Sequence, residues 1–236
     1  MLSEGFQNIS SGKITNGIPH NGSINAVLNY IEEQLKVFQV KNKGETETVE
    51  DTLNERLAIL FQRNIESRPF FFKPEKIQNP ESGRSAKTDI GVLSISETIK
   101  VHENSYGEYD AFFEIECKRL PTLPKNREKE YVTGQSKSSG AIERFKERIH
   151  AKNLAFSAII GYIQKENPGY WFEHVNTWVD ELITSNPAFW KEEDQLIQTD
   201  TQLLMLTKYI SKNYRENGEG QSNYINLTHF WVNLVG

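Results

Sequence analysis

The amino-acid sequence predicts an α/β fold, with a mixed central β-sheet flanked by helices. Amphipathic helical patterns precede the first strands, strand-like and helical segments then alternate, and two β-rich segments close the chain. At 236 residues the chain can bury a full core. We therefore expect a flexible segment at 1–22 and a single domain at 23–236, with its core at about 48–165 and a helix and hairpin added at 170–236.

Two helices are predicted before the first strand. One runs through AVLNYIEEQLKVF and can be capped by Ser23, and the second extends from about Thr48 to Arg63. PFFFKPEKI is then expected to be a short strand that Pro74 interrupts, with turns at Pro80 and Gly83. TDIGVLSI is the next strand, and HENSYGEYD is expected to be a polar connection.

The segment AFFEIECKRL alternates in the manner of a β-strand. One face carries Ala111, Phe113, Ile115 and Cys117, and the other carries Phe112, Glu114, Glu116 and Lys118. The first face is expected to join the core, whereas the second begins apolar and ends charged.

The rest of the chain is predicted to be two helices and a hairpin. A long helix is expected from about Ser139 to Gln164, with its apolar half LAFSAIIGYI deeply buried, and Pro168 and Gly169 should end it. An amphipathic helix through Trp171 follows. LLMLTKYI and YINLTHFWVNLV read as paired strands, although the first could also be helical.

The composition limits the classes of function. No apolar run approaches the roughly 18 residues of a membrane helix, so no membrane association is expected. The single cysteine cannot form an internal disulfide, which favours a reducing cytoplasm. The five histidines lack zinc-ligand spacing, and no glycine-rich phosphate loop follows a strand.

Charge is distributed unevenly along the chain. The formal net charge is -5, yet the stretch from Lys118 to Lys152 holds ten basic and four acidic residues. If these basic residues share a face, that face can bind the phosphate backbone of DNA. The alternative is a solvated helix with interleaved ion pairs.

Glu116 and Lys118 form the constellation best suited to chemistry. Two positions apart on a strand, they leave the same face, and Asp89 at the start of the preceding strand can join them if the strands pair. Carboxylates and an amine suit phosphodiester hydrolysis, which needs a divalent ion and an oriented water. The alternative is an edge strand whose Glu114, Glu116 and Lys118 simply face water or pair with each other. The acid-x-Lys triplet by itself is a weak motif, and its apolar setting is the stronger signal.

The order of these elements resembles the PD-(D/E)XK, or restriction-endonuclease-like, nuclease superfamily. The resemblance covers about 48–165 and rests on KTDIGVLSI, FFEIECKRL and YVTGQSKSSGAIERFKE. Thr88 stands where the name of the family has proline, in a position that holds no metal. The tail beyond Pro187 matches no part of the pattern.

The resemblance implies a restriction-endonuclease-like fold and Mg²⁺-dependent hydrolysis of DNA. Asp89 and Glu116 would bind Mg²⁺, for which Mn²⁺ is expected to substitute, and Lys118 would orient or help deprotonate the attacking water. The backbone carbonyl of Cys117 is a further candidate ligand. A catalytically inactive module of the same fold, binding nucleic acid or protein, is the alternative, because a fold does not guarantee an activity.

A helix carboxylate is the candidate for an additional metal ligand. Glu55 is the first choice on the resemblance, with Glu50 and Asp51 as competitors. The alternative for each is a solvated position on the helix. Cutting both DNA strands with one site per chain would favour a homodimer.

Three residues after the acid-x-Lys strand are candidates for nucleic-acid binding. Gln135, Lys137 and Arg144 could hold phosphate or line the site, Arg144 through a two-pronged contact. For Arg144 a surface ion pair with Glu143 or Glu147 is the alternative.

Overall fold

The structure is a computed structural model that describes residues 22–78, 85–101, 104–135, 138–203, 206–215 and 222–235. The segment 1–22, apart from Gly22, lies outside these ranges, as do Pro80 and Gly83. Short 3-10 helices occur at Lys125–Tyr131 and Glu192–Asp194. The remaining elements are α1 (Gly22–Asn42), α2 (Glu50–Arg63), β1 (Phe70–Ile77), β2 (Lys87–Ser94), β3 (Thr98–Val101), β4 (Asn104–Gly107), β5 (Ala111–Leu120), α3 (Ala141–Lys146), β6 (Phe156–Ile163), α4 (Pro168–Ser185), β7 (Ile197–Leu203), β8 (Leu206–Tyr214) and β9 (Tyr224–Asn233).

Seven strands form one mixed sheet in the order β1-β2-β5-β6-β9-β8-β7. The pairs β1–β2 and β2–β5 are antiparallel, β5–β6 and β6–β9 are parallel, and β9–β8 and β8–β7 are antiparallel. β3 and β4 form a separate two-stranded sheet. The prediction of a mixed central sheet is therefore confirmed, and β5 is an inner strand of it.

Helices cover both faces of the sheet, as two neighbouring residues of β8 illustrate. Lys208 Nζ lies 3.5 Å from Oε2 of Glu32 in α1, while the ring of Tyr209 stacks on Phe172 of α4 at 5.0 Å between centroids. Consecutive side chains of a strand point to opposite faces. The α/β class with flanking helices is thus confirmed.

The two N-terminal helices are confirmed, and aromatic packing joins them to the sheet. Tyr30 of α1 stacks on Phe72 of β1 at 5.5 Å, and Phe61 of α2 lies 4.4 Å from the same ring. The hydroxyl of Tyr30 donates to the backbone carbonyl of Phe61 at 2.6 Å. Ser23 lies inside α1 rather than at its cap. This packing fixes the position of α2 relative to β1 and β2.

Two details between the helices and β5 differ from the prediction. β1 continues through Pro74, because it is an edge strand in which a missing N–H interrupts few ladder bonds. The expected polar connection after β2 contains β4 and follows β3.

The predicted long helix from Ser139 to Gln164 is wrong. Only α3 is helical there, and LAFSAIIGYI contains β6, every residue of which is buried. Parallel strands lie on both sides of β6. A strand covered on both faces is apolar at nearly every position, and this removes the alternation that marks a half-exposed strand.

The C-terminal predictions are largely confirmed. α4 begins at Pro168 rather than after it. The side chain of Asn167 caps this helix by accepting a hydrogen bond from the backbone N–H of Tyr170. β8 and β9 form the predicted antiparallel hairpin, and β9 also pairs with β6, so the hairpin extends the central sheet. Over the part of the chain that the structure describes, no helix has both the length and the apolar character to cross a bilayer.

Candidate active site

The pairing of β2 with β5 brings Asp89 to the backbone of the acid-x-Lys segment. The two strands are antiparallel neighbours with Ile90 opposite Ile115. Oδ2 of Asp89 accepts a hydrogen bond from the backbone N–H of Cys117 at 2.7 Å. Asp89 is therefore held beside the residue that separates Glu116 from Lys118.

Lys118 lies at the centre of the cluster. Its Nζ is 2.9 Å from Oε1 of Glu50 and 3.2 Å from Oε1 of Glu116, and it donates to the backbone carbonyl of Cys117 at 3.0 Å. Burial by itself lowers the pKa of Lys118, but the carboxylates of Glu116, Glu50 and Asp89 outweigh it and raise that pKa above its usual value. The amine is therefore a cation at neutral pH.

Glu116 is 1% exposed and lies among basic side chains. Arg144 Nη1 lies 3.2 Å from its Oε1, and Nε2 of His150 lies 3.5 Å from its Oε2. Burial opposes ionisation, yet Lys118, His150 and Arg144 together lower the pKa of Glu116. Among the described residues its Oε2 has no hydrogen-bond partner, so one buried anionic oxygen keeps an unused lone pair.

Asp89 differs from Glu116 in its protonation. Burial of its carboxyl group and the nearby charge of Glu116 raise the pKa of Asp89 to about 8, although Lys118 and the N–H of Cys117 act in the opposite direction. Two carboxyl groups that share one site cannot both ionise cheaply. Asp89 and Glu116 can therefore either bind a cation together or retain one proton between them.

Asp89 also lines a cavity of about 640 Å³ between α2 and the edge of the sheet. Glu55 and Asp51 of α2 and Glu75 of β1 line the same cavity. Glu55 therefore shares a cavity with Asp89, but Glu50 is the α2 carboxylate in contact with Lys118.

No metal cluster is preformed in the described ranges. Within them, no group of three or more His, Cys, Asp or Glu side chains is arranged to hold a metal ion. Glu116 pairs with Lys118 and Arg144, and Asp89 with a backbone N–H.

Among the described residues, the structure does not bring together those predicted to bind nucleic acid. Arg144 lies at the site, where its Nε also donates to the carbonyl of Ser138 at 3.1 Å, so it pairs with Glu116 rather than with Glu143 or Glu147. Gln135 is exposed and donates to the carbonyl of Asn126. Lys137 lies outside the described residues.

Sequence reasoning missed the roles of two residues. His150 is fully buried, and burial lowers its pKa to about 4, so the ring that faces Glu116 is neutral near pH 7. A lone histidine after a basic helix gives no signal of this contact. The sequence predicts Glu50 only as a competitor of Glu55, because the helical pattern does not distinguish between them.

No protein-family model, curated protein or solved structure matches this chain. The geometry described above is therefore the basis for any functional conclusion.

Proposed function

We propose that the protein is a metal-dependent nuclease that hydrolyses phosphodiester bonds of DNA, of the PD-(D/E)XK kind. The observation that carries the proposal is the convergence on Lys118 of carboxylates from separate elements. Glu50 of α2 and Glu116 of β5 lie within 3.2 Å of its Nζ, and Asp89 of β2 is bonded to the neighbouring N–H of Cys117.

The order of the elements supports the proposal further. A helix with an acidic residue, a strand with Asp89, a strand with Glu116 and Lys118, and a helix with Arg144 follow one another along the chain. This is the order on which the resemblance to the restriction-endonuclease-like fold rests. β2 and β5 are adjacent strands of a mixed sheet, as that site requires.

The chemistry of the donor set suits Mg²⁺ or Mn²⁺. Asp89, Glu116 and the backbone carbonyl of Cys117 would hold the ion, since hard cations prefer oxygen ligands. The unpaired Oε2 of Glu116 and the raised pKa of Asp89 both point to missing positive charge. When bound, the ion supplies a Lewis acid for the phosphate and lowers the pKa of a water.

The side chains of the chain itself have distinct parts in this proposal. The cationic Lys118 orients the attacking water and balances charge beside Glu116, and Glu50 holds the amine in place. Arg144 bonds Glu116 through one guanidinium nitrogen at 3.2 Å. A guanidinium can bind phosphate through two N–H groups, so Arg144 is placed to bind the substrate phosphate beside Glu116.

The proposal is tested by incubating purified protein with plasmid and with linear DNA in Mg²⁺ or Mn²⁺. Cutting that EDTA stops, and that Asp89→Ala, Glu116→Ala and Lys118→Ala each abolish, is the expected result. A folded wild-type protein that leaves DNA intact with both metals would favour the inactive module instead. Circular dichroism of each variant separates loss of activity from loss of fold. Gel filtration with and without DNA tests the homodimer that double-strand cutting would favour.

A further inference from the structure

A second cavity, of about 810 Å³, is lined in part by Glu114 of β5, two residues before Glu116. We call it the basic cavity. Its lining includes Lys73, Lys76, Arg148, Lys152, Tyr106 and Tyr109. The four basic residues come from β1 and from the segment after α3, so the tertiary fold, and not a run of sequence, brings them together.

The two acidic residues of the basic cavity are occupied by internal hydrogen bonds. Oδ2 of Asp110 accepts from the N–H of Gly107 at 3.0 Å. Glu114 accepts from Nε2 of Gln78 at 3.0 Å and from the N–H of Ala151 at 2.8 Å, and burial raises its pKa. The acids are thus satisfied by the protein, and the lining favours an anionic ligand.

An exposed aromatic residue is among those that line this cavity. Tyr109 is 76% exposed, which is unusual for a side chain of this size. Its backbone carbonyl accepts a hydrogen bond from Lys76 Nζ at 2.8 Å. The side chain of Lys76 crosses Gly91, where an added Cβ would lie 2.8 Å from the Cβ of Lys76. Gly91 therefore permits the crossing that fixes the Tyr109 turn.

Residues of the basic cavity lie close to the candidate active site along the chain. Glu114 precedes Glu116 by two residues, a separation of about 7 Å along a strand. Arg148 and Lys152 flank His150, whose Nε2 lies 3.5 Å from Glu116. A DNA strand with one phosphate at the active site would reach the basic cavity with a neighbouring nucleotide.

We propose that the basic cavity binds a single-stranded segment of DNA next to the phosphodiester that is cut. The inference rests on the proposed function for the place of cutting. Basic side chains that track a backbone, together with an aromatic ring for stacking, are the features that bind single strands without sequence preference. A cavity of 810 Å³ suits one or two nucleotides. A cavity of this volume is too small to enclose a duplex.

The test uses the full-length protein in EDTA, so that binding is measured without cutting. Fluorescence anisotropy compares a labelled single-stranded oligonucleotide with the blunt duplex of the same sequence. The variants are Lys73→Glu/Lys152→Glu, Tyr109→Ala and Tyr109→Phe. Lys43→Glu/Lys165→Glu, at two exposed lysines outside the cavity lining, is the matched control for net charge.

We expect the wild type to prefer the single strand. The cavity double variant should bind it at least tenfold more weakly, with a log-log salt dependence shallower by about 1.4 for two lost phosphate contacts. Tyr109→Ala should weaken binding about fivefold or more, whereas Tyr109→Phe keeps the stacking and the affinity.

Three outcomes would overturn the inference: equal or tighter binding of the blunt duplex, equal losses in the cavity and control double variants, or no loss for Tyr109→Ala. Binding through the cavity by a protein that never cuts DNA would refute the proposed function alone. If the protein cuts DNA but the cavity variants bind the single strand as tightly as the wild type, this inference alone is refuted.

Discussion

Nζ of Lys118 lies 2.9 Å from Oε1 of Glu50, although 68 positions separate the two residues in the chain. The other oxygen of that carboxylate accepts from the backbone N–H of Arg119 at 2.9 Å. The first turn of α2 is thus bonded to both the side chain and the backbone at the end of β5. Movement of the helix would displace the amine on which the proposed chemistry depends.

Glu50→Gln is therefore predicted to impair DNA cutting more than Glu55→Gln. The amide of the first variant keeps the shape of the side chain but loses the charge that holds Lys118. We expect a loss of about 10- to 100-fold in cleavage rate, as is typical for partners of catalytic groups. Glu55→Gln is the matched control on the same helix. A larger loss for Glu55→Gln would instead assign the helix ligand to Glu55.

Mg²⁺ binding is predicted to strengthen as the pH rises towards 8. The pKa of Asp89 is about 8, so its carboxyl group is mostly protonated at pH 7 and must lose a proton to bind an ion. Below pH 8 the apparent affinity should rise by up to about tenfold per pH unit, with proton release on binding. Calorimetric titration between pH 6.5 and 9, in buffers of different ionisation enthalpy, measures both. A pH-independent affinity with no proton release would contradict the protonated state of Asp89.

The stability contribution of His229 is predicted to disappear in acid. Its ring is fully buried between the hydroxyls of Tyr131 and Ser211, at 2.8 and 2.9 Å, and burial lowers its pKa to about 3. Below about pH 6.5 the unfolded chain binds a proton that the folded chain does not. The contribution is thus present above pH 6.5 and is lost as the pH falls towards 3, by about 1.4 kcal/mol per pH unit.

Urea unfolding of wild type and His229→Gln measures that contribution. The gap between their free energies of unfolding should narrow by about 2 kcal/mol between pH 7 and pH 5. His174→Gln, at a partly exposed histidine of α4, controls for the substitution. If the gap for His229→Gln is the same at both pH values, the ring is not held neutral by burial.

Gly161→Ala is predicted to destabilise the fold. An added Cβ at this position of β6 would lie 2.6 Å from Cδ1 of Trp231, a fully buried ring. Overpacking of this kind costs about 1–3 kcal/mol. Denaturant unfolding of Gly161→Ala should give a lower midpoint than that of Gly22→Ala, where an added Cβ meets nothing within 4 Å. Equal midpoints for the two variants would refute this packing constraint.

The strand that carries Glu116 and Lys118 could be predicted because its side chains alternate in character between neighbouring positions. In β5 the charged residues fall two apart, so the alternation revealed both the strand and the common face of Glu116 and Lys118. The expectation that Asp89 joins Glu116 and Lys118 was conditional on the pairing of β2 with β5, and the register shows that these strands pair. The hydrogen bond that Asp89 accepts from the N–H of Cys117 could not be predicted, because it depends on the exact register of the two strands.

The parts that could not be predicted depend on long-range packing. β6 has eight buried residues in succession, and an unbroken apolar run fits a buried helix as well as a buried strand. The choice of Glu50 over Glu55 depends on where the start of α2 meets the end of β5. His150 is brought to Glu116 by the segment after α3, whose path no local pattern encodes.

The most direct test of the central claim is the initial rate of plasmid cleavage in Mg²⁺ by wild type, Lys118→Met and Lys165→Met. The first substitution removes the amine from among the three carboxylates, and the second removes an exposed amine elsewhere on the chain. We predict that Lys118→Met lowers the rate by about 10²- to 10⁴-fold while Lys165→Met leaves it unchanged. A folded Lys118→Met protein that cuts DNA at the wild-type rate would contradict the account.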